Sequence, residues 1–156
     1  MADDRIAIIL KRAEARCAER GERLTARRRA VLALILGAER PITAYGLLER
    51  LSAEGGRSVA PPIVYRALNF LLAQRLIHRI ATLSAFVACV DADHPHHAQF
   101  VICDGCGCTA EICDPAVVRK LQRHGAALGY QVAQPIIELH GMCASCRAPG
   151  AAPARP

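Results

Sequence analysis

Tryptophan is absent from this sequence and aromatic residues make up only 4 % of it, so aliphatic side chains must fill whatever core forms. No apolar run approaches the roughly 20 residues that a membrane span requires. Near the start, the run "IAIIL" inside "MADDRIAIILKRAEARC" is too short for a secretory leader and has charges on both sides. Hydrolytic zinc signatures are also missing, both H-E-x-x-H and the H-x-E with P-C-x-x-C of zinc deaminases. These absences point to a soluble, cytoplasmic protein that is not an enzyme and takes no small organic substrate. What is present is an apolar fraction of 53 % over 156 residues, enough for one ordinary domain or two small ones.

The net charge of +6 is unevenly placed. Residues 1–90 carry fifteen Lys/Arg against eight Asp/Glu, whereas residues 91–156 carry five against six. The first half therefore suits a polyanion. The second half holds most of the eight cysteines, and in a reducing compartment these favour metal or redox chemistry over disulfides.

In the basic half, Ile6, Ile9, Leu10, Ala13 and Cys17 recur at three- and four-residue steps, which predicts an amphipathic helix ending near Gly21 with Cys17 buried and inert. Thr25 and Thr43 read as caps of the next two helices, "ARRRAVLALILG" and "AYGLLERLSAEGG". Pro61 and Pro62 then open a fourth, with Ile63, Val64, Ala67, Leu68, Leu71 and Leu72 as its packed face and Tyr65, Arg66 and Asn69 on the other side. This is helix-turn-helix geometry, whose second helix enters the major groove of duplex DNA. Arg66 can bind guanine with two donors, and Tyr65 can meet a thymine methyl or a phosphate. Arg27, Arg28, Arg29 and Tyr45 are candidates for phosphates.

The following "LIHRIATLSAFVACV" predicts two short strands, the wing of a winged helix. A two-residue turn at Leu83-Ser84 sets His78 directly opposite Cys89, as two ligands of one ion would be.

In the second half, "HPHHAQFVICDGCGC" packs three histidines and three cysteines into residues 94–108, and "CASC" follows downstream. Cys103-x-x-Cys106 and Cys143-x-x-Cys146 are two zinc-knuckle half-sites, together a closed, structural four-thiolate site. Cys108 and Cys113 are surplus, Cys108 reading as a spare thiol in a strand. His78, Cys89, His94, His96, His97 and Glu111 remain, and four of them would make a second, regulatory site. An N₂SO donor set suits Zn²⁺, whereas Fe²⁺ or Mn²⁺ sensing favours sets without thiolate. Strands are expected near 98–103, 109–113 and 131–139. A helix should start at Asp114-Pro115 and end near Gly129, with Val117, Val118, Leu121 and Leu128 on one face. His140 has no evident ligand partner and reads as a structural hydrogen-bonding group.

With these stretches in view, "LTARRRAVLALI", "TAYGLLERL", "VAPPIVYRALNFLLAQRLIHRI", "FVICDGCG" and "IIELHGMCASC" resemble the ferric-uptake-regulator superfamily, specifically its zinc-uptake-regulator branch, from about residue 20 to 147. The resemblance implies an α+β protein with a winged helix-turn-helix domain (1–90), a hinge (91–96), an α/β dimerisation and metal-binding domain (97–147) and a disordered tail (148–156). It implies a homodimer that represses zinc-import genes on operator DNA when a regulatory zinc is bound, two Zn²⁺ per chain. The matched motifs make Cys103, Cys106, Cys143 and Cys146 the structural ligands and Tyr65 with Arg66 the base-reading pair. They make His78, Cys89, His96 and Glu111 the regulatory ligands, although the interval to His96 is one residue short and leaves His94 and His97 open. The family's glycine at the end of the recognition helix is replaced by Arg75, which costs about 1 kcal/mol or moves the helix end. Gln99 and Pro135 stand where a further metal site of the superfamily needs ligands, so no third site is expected. Rival readings are a sister sensor for iron, manganese, nickel or peroxide, a redox sensor using Cys106, Cys108 or Cys113, and a DNA-binding scaffold with structural zinc alone.

Overall fold

The computed structural model describes residues 2–56, 58–89 and 97–148. The chain divides into two compact units, Met1–Ala92 and Asp93–Pro156. The expected hinge at 91–96, His94, His96 and the tail beyond residue 148 lie outside the described residues.

The first unit is built on four helices: α1 (Ala2–Glu19), α2 (Ala26–Leu36), α3 (Ala44–Gly55) and α4 (Pro61–Ala73). Their apolar stripes converge on one core that includes Leu10, Ala13, Cys17, Leu32, Leu47, Leu68 and Leu71. Each fully buried aliphatic side chain contributes about 1.5–3 kcal/mol, which replaces the missing aromatic bulk. Cys17 is fully buried, and burial pushes its thiol up, so it stays an apolar filler. Thr43 caps α3 as expected, its hydroxyl accepting from the Gly46 N–H at 3.0 Å. Thr25 precedes α2 with an extended backbone but makes no side-chain cap bond.

The end of α4 explains the substituted glycine. Leu76 N–H donates to Leu71 O and Arg75 N–H to Leu72 O, both at 2.9 Å, with Arg75 at φ 57. The same pair of bonds ends α1, where Glu22 N–H meets Cys17 O and Gly21 stands at φ 71. The helix end has therefore not moved, and Arg75 carries the left-handed strain.

β2 (Ile77–Ile80) and β3 (Ala85–Ala88) form the expected antiparallel hairpin. Its turn differs from expectation. Ile80 pairs with Ala85, four residues span the turn, and His78 lies opposite Val87 rather than Cys89. A two-residue turn needs positive φ at its first central residue, a conformation that bulky Leu83 resists. Ser84 alone adopts it, at φ 48. An unforeseen two-residue strand, β1 (Ile42–Thr43), completes the sheet in the order β1-β3-β2.

The second unit has three strands, β4 (Gln99–Cys103), β5 (Thr109–Ile112) and β6 (Ile137–Gly141), with α5 (Pro115–Ala127) and the short α6 (Ala144–Arg147). β5 pairs antiparallel and β6 parallel with the central β4. The third strand runs 137–141 instead of 131–139, because Pro135 lacks an N–H and restrains the residue before it. Asp114 caps α5, its Oδ1 accepting from the Ala116 N–H at 2.8 Å. Buried Gln99 uses its amide nitrogen to donate to Asp114 O at 2.8 Å. Of the expected α5 face only Val118 is buried, while Val117, Leu121 and Leu128 are exposed.

Candidate metal centre and nucleic-acid face

The β4–β5 turn carries the first thiols. Gly107 N–H donates to Cys103 O at 2.8 Å, and Cys103 N–H to Cys108 O at 2.9 Å, closing a tight loop around Asp104–Gly107. β6 delivers the rest: Cys103 pairs with Gly141, and Asp104 N–H donates to Gly141 O at 2.8 Å, so Cys143 arrives two residues later beside Cys103. The parallel register of β6 on β4 thus aligns the second half-site with the first.

Four sulfurs, those of Cys103, Cys106, Cys108 and Cys143, lie within 4.8 Å of one another. Sγ of Cys106 and Sγ of Cys143 are 3.8 Å apart. Tetrahedral zinc with bonds of about 2.3 Å requires sulfur–sulfur edges of about 3.8 Å, so this cluster fits the ion. The Cys143 N–H donates to Sγ of Cys103 at 3.3 Å. That bond, joined by one from the backbone of Cys106, lowers the Cys103 thiol to about 6. Cys106 is lowered too, chiefly by the backbone of Cys108. Cys108 is pushed up to about 12 by the Cys106 sulfur and by burial, and Cys146 to about 12 by the sulfurs of Cys143 and Cys106. None of the eight cysteines forms a disulfide.

Cys108 is not in a strand; it stands in the loop before β5, half-buried among the other thiols. Cys146, on α6, lies beside the four. A Cβ on Gly105 would meet Sγ of Cys146 at 3.0 Å, so the knuckle backbone approaches that sulfur as closely as a glycine permits. Asp104, unmarked by the sequence reading, takes up His140: Nδ1 and Oδ1 are 2.9 Å apart, tying the knuckle to β6. His140 is therefore a hydrogen-bonding group, as expected. The Cys106-x-Cys108 spacing was the only signal that could have included Cys108 in the cluster. Cys113 is exposed.

On the wing, the changed register moves the pairing by two residues, which leaves His78 and Cys89 on one face as diagonal neighbours. A ring nitrogen of His78 and Sγ of Cys89 lie within 4.8 Å of each other. The Cys89 N–H donates to Leu76 O at 3.0 Å, so the thiol sits on ordered backbone just past β3. Glu111 belongs to the second unit, on β5 opposite Phe100, and is half-buried. His97 is exposed.

Along α4, Tyr65, Arg66 and Asn69 are all exposed, with Tyr65 at 53 %. Val64, Ala67, Leu68 and Leu71 pack inward as expected, but Ile63 is exposed and Leu72 only half-buried. Arg27 and Tyr45 are exposed at the starts of α2 and α3. Arg28 is otherwise engaged: its guanidinium lies 3.6 Å from the Phe70 ring centroid and donates to Arg23 O at 2.7 Å. Arg29 faces Glu14 at 3.6 Å.

The first unit is a winged helix with a polar, exposed helix face, and the second gathers thiols at separations that suit a tetrahedral metal ion, the features of a winged-helix protein with a candidate thiolate centre. The model of the ferric uptake regulator family matches residues 19–140, and the chain belongs to that family. The zinc uptake regulation protein of Escherichia coli (strain K12) is 39 % identical over 139 residues, 88 % of this chain and 81 % of that one. A solved zinc uptake regulator complexed with zinc and DNA superposes with a TM-score of 0.85 at 37 % identity, covering 90 % of this chain and 94 % of its own. A crystal structure of holo XcZur gives 0.79 at 42 % identity, covering 88 % and 95 %.

Proposed function

We propose that the chain is a zinc-responsive transcriptional repressor that binds operator DNA as a homodimer and controls zinc-uptake genes. The observation that carries this reading is the likeness to a regulator solved with zinc and DNA, spanning 90 % of the chain. The protein is a cytoplasmic regulator rather than an enzyme; among the described residues no helix is long and apolar enough to cross a membrane.

Two zinc ions per chain have separate roles in this reading. Cys103, Cys106, Cys143 and Cys146 hold a structural ion that fastens the carboxyl-terminal segment to β4. His78, Cys89, His96 and Glu111 hold the regulatory one. Bound zinc supplies a strong, exchangeable crosslink among imidazole, thiolate and carboxylate, with no open position needed. The chain's own residues do the rest. His78 and Cys89 present two donors from the wing, and Tyr65, Arg66, Asn69, Arg27 and Tyr45 form the DNA face, from which Arg28 is withdrawn by its contacts with Phe70 and Arg23. Arg66 reads a base edge, while Arg27 and Tyr45 meet phosphates at helix starts.

The test uses a duplex selected from random sequence by the zinc-loaded protein, titrated at buffered free Zn²⁺, Fe²⁺ and Mn²⁺. His78→Ala and Cys89→Ser should stay folded and keep one zinc per chain. Both should lose the zinc stimulation of DNA binding, which coupling of this kind sets at roughly 5–150-fold. Undiminished zinc stimulation in both variants, or a wild-type response to Fe²⁺ rather than Zn²⁺, would sink the reading.

A further inference from the structure

The thiol cluster has one sulfur more than a tetrahedral ion accepts. We propose that the structural zinc rests on a fixed base of Cys103, Cys106 and Cys143 and takes its fourth sulfur from either Cys108 or Cys146, two thiols that exchange at one coordination position. The inference deepens the zinc reading above and depends on it.

Geometry qualifies both candidates. Cys108 rides on the knuckle itself, two residues from Cys106, with its carbonyl bonded to the Cys103 N–H at 2.9 Å. Gly107, at φ 71, turns the chain between them, and Sγ of Cys108 lies within 4.8 Å of all three base sulfurs. Cys108 therefore joins the site with no added loop to close. Cys146 comes from α6, three residues after Cys143 and so on the same side of that short helix. Its sulfur is seated against Gly105, where a methyl group would stand 3.0 Å away. Cys103 and Cys143 are fixed by strand-end hydrogen bonds, and Cys106 stands inside the turn that the Gly107 N–H closes on Cys103 O, so these three form the base.

The exchange is balanced. The incoming thiol gives up its proton as its sulfur binds, and the departing thiolate takes one up, so the ion, its charge and its four thiolates are unchanged. One of the two sulfurs is always unligated.

Zinc per chain, measured by mass spectrometry of the metal after desalting, tests this in a Cys89→Ser background that removes the regulatory thiolate. Cys108→Ser and Cys146→Ser should each retain one zinc, whereas Cys108→Ser/Cys146→Ser and Cys103→Ser should lose it. Loss of zinc from Cys146→Ser as complete as from Cys103→Ser would overturn the proposal, and so would retention by the double variant. A parent protein that binds no zinc would instead overturn the zinc reading itself. Folding of the variants is bypassed by alkylating the unsubstituted, zinc-loaded chain with iodoacetamide and mapping the label. Label divided between Cys108 and Cys146, with the other three knuckle thiols protected, supports exchange. Label confined to either one of the two overturns it.

Discussion

Single residues decide how much strain the fold carries. Arg75 holds a left-handed conformation that glycine holds in the matching turn after α1, and its side chain is exposed, so little packing offsets the cost. Arg75→Gly should stabilise the protein by about 0.5–1 kcal/mol, the relief of left-handed strain less the extra freedom of the unfolded chain. Thermal unfolding checks this, and an unchanged or lower midpoint would show the turn to be unstrained. The family resemblance marked this position, because the family has glycine where Arg75 stands. The sequence could not mark Asp104, whose partner His140 lies 36 residues away and reaches it through strand pairing.

Elements decide which charges are available. The basic count of the first half suggested a row of arginines on phosphates, yet packing divides them by role. Arg66 is exposed on α4, where the proposed function sets it against a base, while Arg28 is spent on the Phe70 ring and the Arg23 carbonyl. Arg66→Ala should cost about 1–3 kcal/mol of operator affinity and relax specificity at one base pair, with unfolding unchanged. Arg28→Ala should instead lower the unfolding midpoint by removing a cation–π contact and a hydrogen bond. Fluorescence anisotropy beside thermal melts separates the two, and equal affinity losses with equal midpoints would defeat the distinction. Most of the packed face of α4 was legible because the hydrogen-bonded helix fixes a 3.6-residue period, whereas of the expected α5 face only Val118 is buried. The wing's register was not legible, because one left-handed serine widened the turn; since strand faces alternate, a two-residue offset still left His78 and Cys89 together.

At the scale of the whole molecule, the second unit leaves apolar surface uncovered. Val117 and Leu121 on α5, Val101 on β4 and Leu139 on β6 are all exposed, together with Leu128 and Ile136. A second copy of the chain is the partner that the proposed function supplies for such a patch. Val117→Asp/Leu121→Asp should cost little in the lone chain but bury charge in a dimer. Sedimentation velocity should then report a monomer that retains its knuckle zinc and binds operator DNA more weakly. A dimer of unchanged mass would place the interface elsewhere.

From the order of residues alone came the four-helix pattern, the wing, the knuckle spacing, the cap at Thr43, the helix start at Asp114-Pro115 and the polar face of α4. All of these are set by neighbours within a few positions, where local backbone conformation and short hydrogen-bonded turns decide the outcome. The tertiary structure alone decided that Cys108 and Cys143 stand in one cluster and that His140 answers Asp104. Those outcomes turn on distances between segments remote in the chain, and only strand pairing and packing bring them together.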